Sequence, residues 1–150
     1  MAQRSNINQE MPVDLTWFVG KQLVDATKKD FSWSFVFSDG GSVITESVWR
    51  LVTNEGIGVA SEDHGQTFGL KGPVDAGVSV LAATKEKKIL QVRIAERTSD
   101  LLVLFGQDVS LEFLNLSCGY ESWRAGRGSE EVVCMGGGQL AIHSNEKKGS

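Results

Sequence analysis

Glu62, Asp63 and His64 stand together in the run Ser-Glu-Asp-His-Gly-Gln, and a second histidine, His143, follows far along the chain. Carboxylates beside a histidine are the groups that ligate a divalent metal or pass a proton. Two histidines and a carboxylate are the minimum for a metal site, but their spacing here matches no metal motif. A solvated polar loop explains the cluster more simply, and an acidic recognition loop ranks second. A metal-assisted enzyme built on Asp63, His64 and His143 is therefore the least favoured reading.

A second concentration lies in Gly119-Tyr120-Glu121-Ser122-Trp123-Arg124. Aromatic and arginine side chains are the usual anchors of protein interfaces, because they bury much area at little entropic cost. The competing reading is that Tyr120 and Trp123 close the end of a sheet while Glu121 and Arg124 stay solvated. Cys118 and Cys134 have no C-x-x-C spacing and no adjacent histidine, so buried free thiols are expected rather than a nucleophile or redox pair. Gly136-Gly137-Gly138 lacks the lysine and hydroxyl residue of a phosphate loop and suits a hairpin turn. Ser117 and Ser122 lie in no G-x-S-x-G elbow. No catalytic residue, metal or cofactor is expected. The candidate partner-binding residues are Glu62, Asp63, Tyr120, Glu121, Trp123 and Arg124, with Glu130 and Glu131 as acidic support.

The elements that must position these residues are strands. Residues 31–49 (FSWSFVFSDGGSVITESVW) and 101–123 (LLVLFGQDVSLEFLNLSCGYESW) follow one plan. Each starts with an alternating apolar run, breaks at a polar turn, resumes alternation and reaches a tryptophan with a glutamate nearby. Period-two alternation places every second side chain on one face of a pleated strand, and a turn between two such runs makes a hairpin. Further strands are expected at 15–26, with a bend at Gly20, at 57–60 and 89–94, and in a closing hairpin at 132–135 and 140–143. The nearly all-apolar run 101–105 suggests a strand covered on both faces. One helix is expected at about residues 74–86, with Pro73 opening it, Val74, Val78 and Leu81 on its apolar face and lysines at its end.

At 150 residues the chain is long enough for one domain with a real core. Residues 1–12 and 145–150 are polar and unpatterned and are expected to be a disordered arm and tail around a single domain at 13–144. The expected class is α+β: an antiparallel sheet of consecutive hairpins in two related halves, with the helix between them. Fifteen basic and nineteen acidic residues give a formal charge of −4, which argues against non-specific nucleic-acid binding and suits a basic partner. No apolar stretch has the length of an export signal or a membrane span, so the expected address is the cytoplasm, with reduced cysteines.

The final third resembles a family of small bacterial domains with no established activity. The likeness rests on a YE-x-W motif (Tyr120, Glu121, Trp123) and on a closing hairpin of the form VVC-x-GGG-x-LA (Val132, Val133, Cys134, Gly136, Gly137, Gly138, Leu140, Ala141). GKQLVDA and FVFSDGGSVITES extend it towards the start, and Met135 departs from it where proline would be expected. The resemblance implies an α+β domain. By analogy of class it suggests an immunity or inhibitor protein that blocks a cognate toxin by stoichiometric binding. The alternative is a structural or regulatory module that self-associates through a sheet edge.

Overall fold

The computed structural model describes residues 13–144, so the expected arm and tail lie outside the described residues. Eleven strands and one helix follow in the order β1 (Leu23–Lys29), β2 (Ser32–Phe37), β3 (Ser42–Thr45), β4 (Trp49–Thr53), β5 (Gly56–Ala60), α1 (Ala76–Thr84), β6 (Ile89–Ile94), β7 (Leu101–Phe105), β8 (Val109–Phe113), β9 (Trp123–Arg127), β10 (Glu130–Cys134) and β11 (Leu140–Ser144). Short 3-10 turns occupy Thr16–Phe18, Ser61–Asp63 and Gly136–Gly138. The class is α+β, dominated by antiparallel sheet. Among the described residues no helix is long and apolar enough to cross a membrane.

The expected layout of consecutive hairpins in two related halves needs correction. There are two sheets, with orders β1-β2-β3-β9-β10-β11 and β5-β4-β8-β7-β6, and each draws strands from both halves of the chain. The run 42–49, expected as one strand, is split: β3 ends at Thr45, residues 46–48 cross over, and β4 begins in the other sheet at Trp49. Residues 114–122 make the reverse crossing from β8 to β9. Because β3 pairs with β9 and β4 with β8, the two crossings run side by side in opposite directions. What recurs is connectivity: shifting each label by five, upwards for β1-β2-β3 and downwards for β9-β10, gives β6-β7-β8-β4-β5, the order of the smaller sheet read from its other edge.

Alternation explains the core. Trp33, Phe35 and Phe37 on β2 face inward, and Phe35 meets the edges of Trp49 and Phe113 from the opposite sheet at 5.1 and 5.0 Å. Phe31, just outside β2, is exposed instead. The run 101–105 alternates buried and half-buried, so β7 is covered well on one face only. Aromatic rings in edge-to-face contact supply much of this burial. At the β2–β3 turn Gly40 takes φ +91°, and the Asp39 carboxylate accepts the Gly41 amide at 2.9 Å.

The helix is shorter than expected. Asp75 caps it, its Oδ1 accepting the Val78 amide at 3.2 Å, which leaves Pro73 before the cap and Lys85, Lys87 and Lys88 beyond the last turn. Its buried side is Ala76, Gly77, Val80 and Thr84, and Val78 is exposed. Gly77 decides that face, because its Cα seats directly on the Ala26 carbonyl of β1.

Candidate functional site

The crossings build the one place where several expected residues meet. Thr45 Oγ1 donates to the Ser122 carbonyl at 2.6 Å, and Ser47 Oγ donates to the Leu114 carbonyl at 2.8 Å. The Leu114 amide returns to the Val48 carbonyl at 3.0 Å. The longer crossing is tied down at its start, where the Asn115 amide donates to Asp100 Oδ1 and its side-chain amide to the Thr98 carbonyl, each at 2.8 Å. Ser117 Oγ then accepts the amides of Gly119 and Tyr120 at 3.0 and 2.9 Å. These bonds hold Tyr120 at the tip of the loop, and the residue is 80% exposed.

Two adjoining hollows open at this corner. The larger, about 590 Å³, is lined by residues of both crossings, including Glu46, Ser47, Leu116, Tyr120 and Glu121. The smaller, about 240 Å³, is lined by Ser32, Ile44, Glu46, Glu121 and Arg124 among others. Glu46, Glu121 and Ser122 border both. Leu116 is 65% exposed beside the carboxylates. Exposed apolar side chains next to carboxylates are the composition of a surface that can grip a partner.

Arg124 ties the corner to the outer face of the larger sheet. Its guanidinium stands 3.2 Å from Glu121 Oε1 and 3.8 Å from Glu131 Oε2, and Glu131 in turn lies 3.9 Å from His143 Nδ1. The expected residues Tyr120, Glu121, Arg124 and Glu131 are thus brought together. Glu130 sits exposed at the β9–β10 turn, opposite Arg127 in register.

Three expected residues are not part of the exposed corner surface, although the buried Trp123 backs the smaller hollow. Trp123 is 1% exposed, a core side chain whose indole Nε1 donates to the Ser99 carbonyl at 2.9 Å, so its ring is not at the surface. Asp63 Oδ2 accepts the Ala60 amide at 2.9 Å and stabilises the turn after β5, while Glu62 beside it is exposed; neither lines a hollow. His64 also acts structurally: Nδ1 accepts the Ala76 amide at 3.0 Å and its ring meets the edge of Trp33 at 5.0 Å. Among the described residues no three His, Cys, Asp or Glu side chains gather to hold a metal ion.

The cysteines divide. Cys134 is buried as expected, whereas Cys118 is exposed in the crossing loop. Burial pushes the Cys134 thiol above its ordinary value; the nearby Ser122 hydroxyl draws it partly back, and Asp100 adds to the rise. The Asp14 carboxyl is held low by the Thr16 hydroxyl and amide, which it accepts at 2.6 and 3.0 Å.

No family model, curated protein or solved structure matches this chain. Nothing among the described residues indicates an enzymatic activity. Glu46 is not among the residues expected at the site, although both crossings close on Glu-Ser before a tryptophan, as Glu46-Ser47-Val48-Trp49 and Glu121-Ser122-Trp123.

Proposed function

We propose that this chain is a binding protein of the immunity type, which blocks a cognate toxin by stoichiometric association at the crossover corner. The observation that carries the reading is the exposed pair Leu116 and Tyr120 beside Glu46 and Glu121, held on crossings fixed by hydrogen bonds at both ends. An acidic surface raises the encounter rate with a basic protein, and desolvated aromatics slow its release. The net charge of −4 supports the same partner. The resemblance of the YE-x-W and VVC-x-GGG-x-LA motifs is compatible with this class, and in this fold they form the end of the second crossing and the β10–β11 hairpin.

The test is co-expression with the product of the adjacent gene. A tagged form of this chain is expected to retain that product through purification at a one-to-one ratio and to relieve its toxicity, and Tyr120→Ala with Glu121→Lys is expected to abolish both. Toxicity unchanged by the wild-type chain, with no complex recovered, would end the proposal.

A second reading, self-association, is favoured by one observation. β11 pairs only with β10 among the described residues and carries Ile142 at 60% exposure, so it presents a strand edge able to pair with another copy. Light scattering that gives a monomer mass at every concentration would remove it.

A further inference from the structure

Resting on the binding role proposed above, we infer that the corner receives one arginine side chain of the bound partner, its guanidinium between the Glu46 and Glu121 carboxylates and its flat face on the Tyr120 ring. Among the described residues Glu46 accepts only the Ser32 hydroxyl, at a long 3.4 Å, so most of its acceptor capacity is free. Among the described residues Glu121 is engaged at Oε1, by Arg124. That internal contact also shows that this carboxylate is placed to accept a guanidinium. Among the described residues Tyr120 stacks on no other ring, and it is 80% exposed.

Charge selects the occupant. Of the charged residues that line the hollows, Glu46 and Glu121 outweigh Arg124. Phosphates are repelled by such a surface. Arginine fits better than lysine, because a planar guanidinium can bond two carboxylates and stack on an aromatic ring together, whereas an ammonium acts as a point charge. Ile44 and Leu116 offer apolar surface for the aliphatic stem.

The backbone of the second crossing at Ser122 borders both hollows, and the Ser122 hydroxyl is turned to the buried Cys134 thiol. Ser122 is 6% exposed, and its hydroxyl has no hydrogen-bond partner of ordinary strength. The Cys134 thiol beside it directs its proton towards the Ser99 and Met135 carbonyls, 3.7 Å away in each case, and leaves the hydroxyl only a weak sulfur acceptor.

The test is an NMR titration of the full chain with N-acetyl-arginine methylamide, with the lysine and citrulline analogues in parallel. Saturating shifts are expected at the amides of residues 46–47 and 116–124 and at the Tyr120 ring. Lysine is expected to bind several-fold more weakly, and citrulline, with the same shape and no charge, not at all. Glu46→Gln with Glu121→Gln should erase the response while Glu62→Gln keeps it, the dispersed spectrum certifying that each variant is folded. An equal response to citrulline, shifts centred elsewhere or no saturable response overturns the inference. Tighter binding of free arginine than of the blocked amide also overturns it, by marking a metabolite pocket. Because no toxin is used, an arginine response without toxin capture leaves this site standing on another basic protein, and toxin capture without an arginine response leaves only the binding role.

Discussion

Thr45 and Ser122, 77 residues apart, are joined by a 2.6 Å hydrogen bond from the Thr45 hydroxyl to the Ser122 carbonyl at the point where the chain changes sheets in both directions. The same hydroxyl accepts the Ser47 amide at 2.9 Å. Thr45 is buried, so its isostere valine would take the hydroxyl partner from a buried carbonyl and a half-buried amide. Thr45→Val is expected to cost about 1–3 kcal/mol, and Thr45→Ser clearly less, because serine keeps the hydroxyl. Urea unfolding with an unchanged m-value would read the difference, and equal midpoints for the two variants would contradict it.

The seat of α1 on β1 makes a second expectation. A Cβ at Gly77 would collide with the Ala26 backbone carbonyl, which cannot move aside as a flexible side-chain tip could. Gly77→Ala would gain helix propensity yet is expected to destabilise by about 3 kcal/mol or more through overpacking. Val78→Ala, at the exposed neighbouring position, is expected to stay within about 0.5 kcal/mol of the wild type. Thermal unfolding of the two variants separates a packing constraint from a propensity effect.

That contrast also shows how far the sequence could be read. Period two in 31–37 and 109–113 located β2 and β8 and their inward faces, because alternation is a local property of the strand. The change of sheet at residues 46–48 was not visible. Val43, Thr45 and Trp49 keep an acceptable pattern straight through it, and pairing of β3 with β9 is a contact between distant segments. β9 itself was hidden, since only Trp123 and the small Ala125 mark its inward face, with Gly126 and Arg127 directly after them. The site was legible as a segment, Tyr120 to Arg124, while its other wall at Glu46 arrives only through tertiary packing. Trp123 shows the limit most directly: a tryptophan beside tyrosine and arginine has the composition of an interface, and only the strand's direction decides that it points inward.

The two thiols should differ in reactivity. Cys118 is exposed and Cys134 is buried, with its ionisation suppressed chiefly by desolvation. A disulfide reagent at neutral pH is expected to modify one thiol quickly and the other only on unfolding. The raised native value also sets a sign. Above about pH 9 the unfolded chain releases the Cys134 proton while the native chain holds it, so this contribution to stability is present at lower pH and lost as pH rises. Cys134→Ala should flatten that alkaline decline, as measured by urea midpoints across the range; an unaltered slope would rule out Cys134 as its source.

The paired tryptophans that begin β4 and β9 give the last test. Trp49 and Trp123 are both fully buried and occupy corresponding places after the two crossings. Their indole N–H groups differ: Trp123 donates to the Ser99 carbonyl at 2.9 Å, whereas Trp49 Nε1 finds no acceptor among the described residues. Replacing either by phenylalanine removes similar ring volume and leaves a similar void, so the packing losses nearly cancel in the comparison. Trp123→Phe additionally gives up a buried hydrogen bond and leaves Ser99 with only the weak Cys134 thiol as donor. Trp49→Phe instead removes a buried donor that was never satisfied, which is a relief rather than a loss. Trp123→Phe is therefore expected to be the more destabilising by about 1–3 kcal/mol, although sequence context alone would rank the two alike. Chemical denaturation of both variants measures the gap directly, and equal losses would mean that Trp49 is satisfied in solution by a partner such as an internal water.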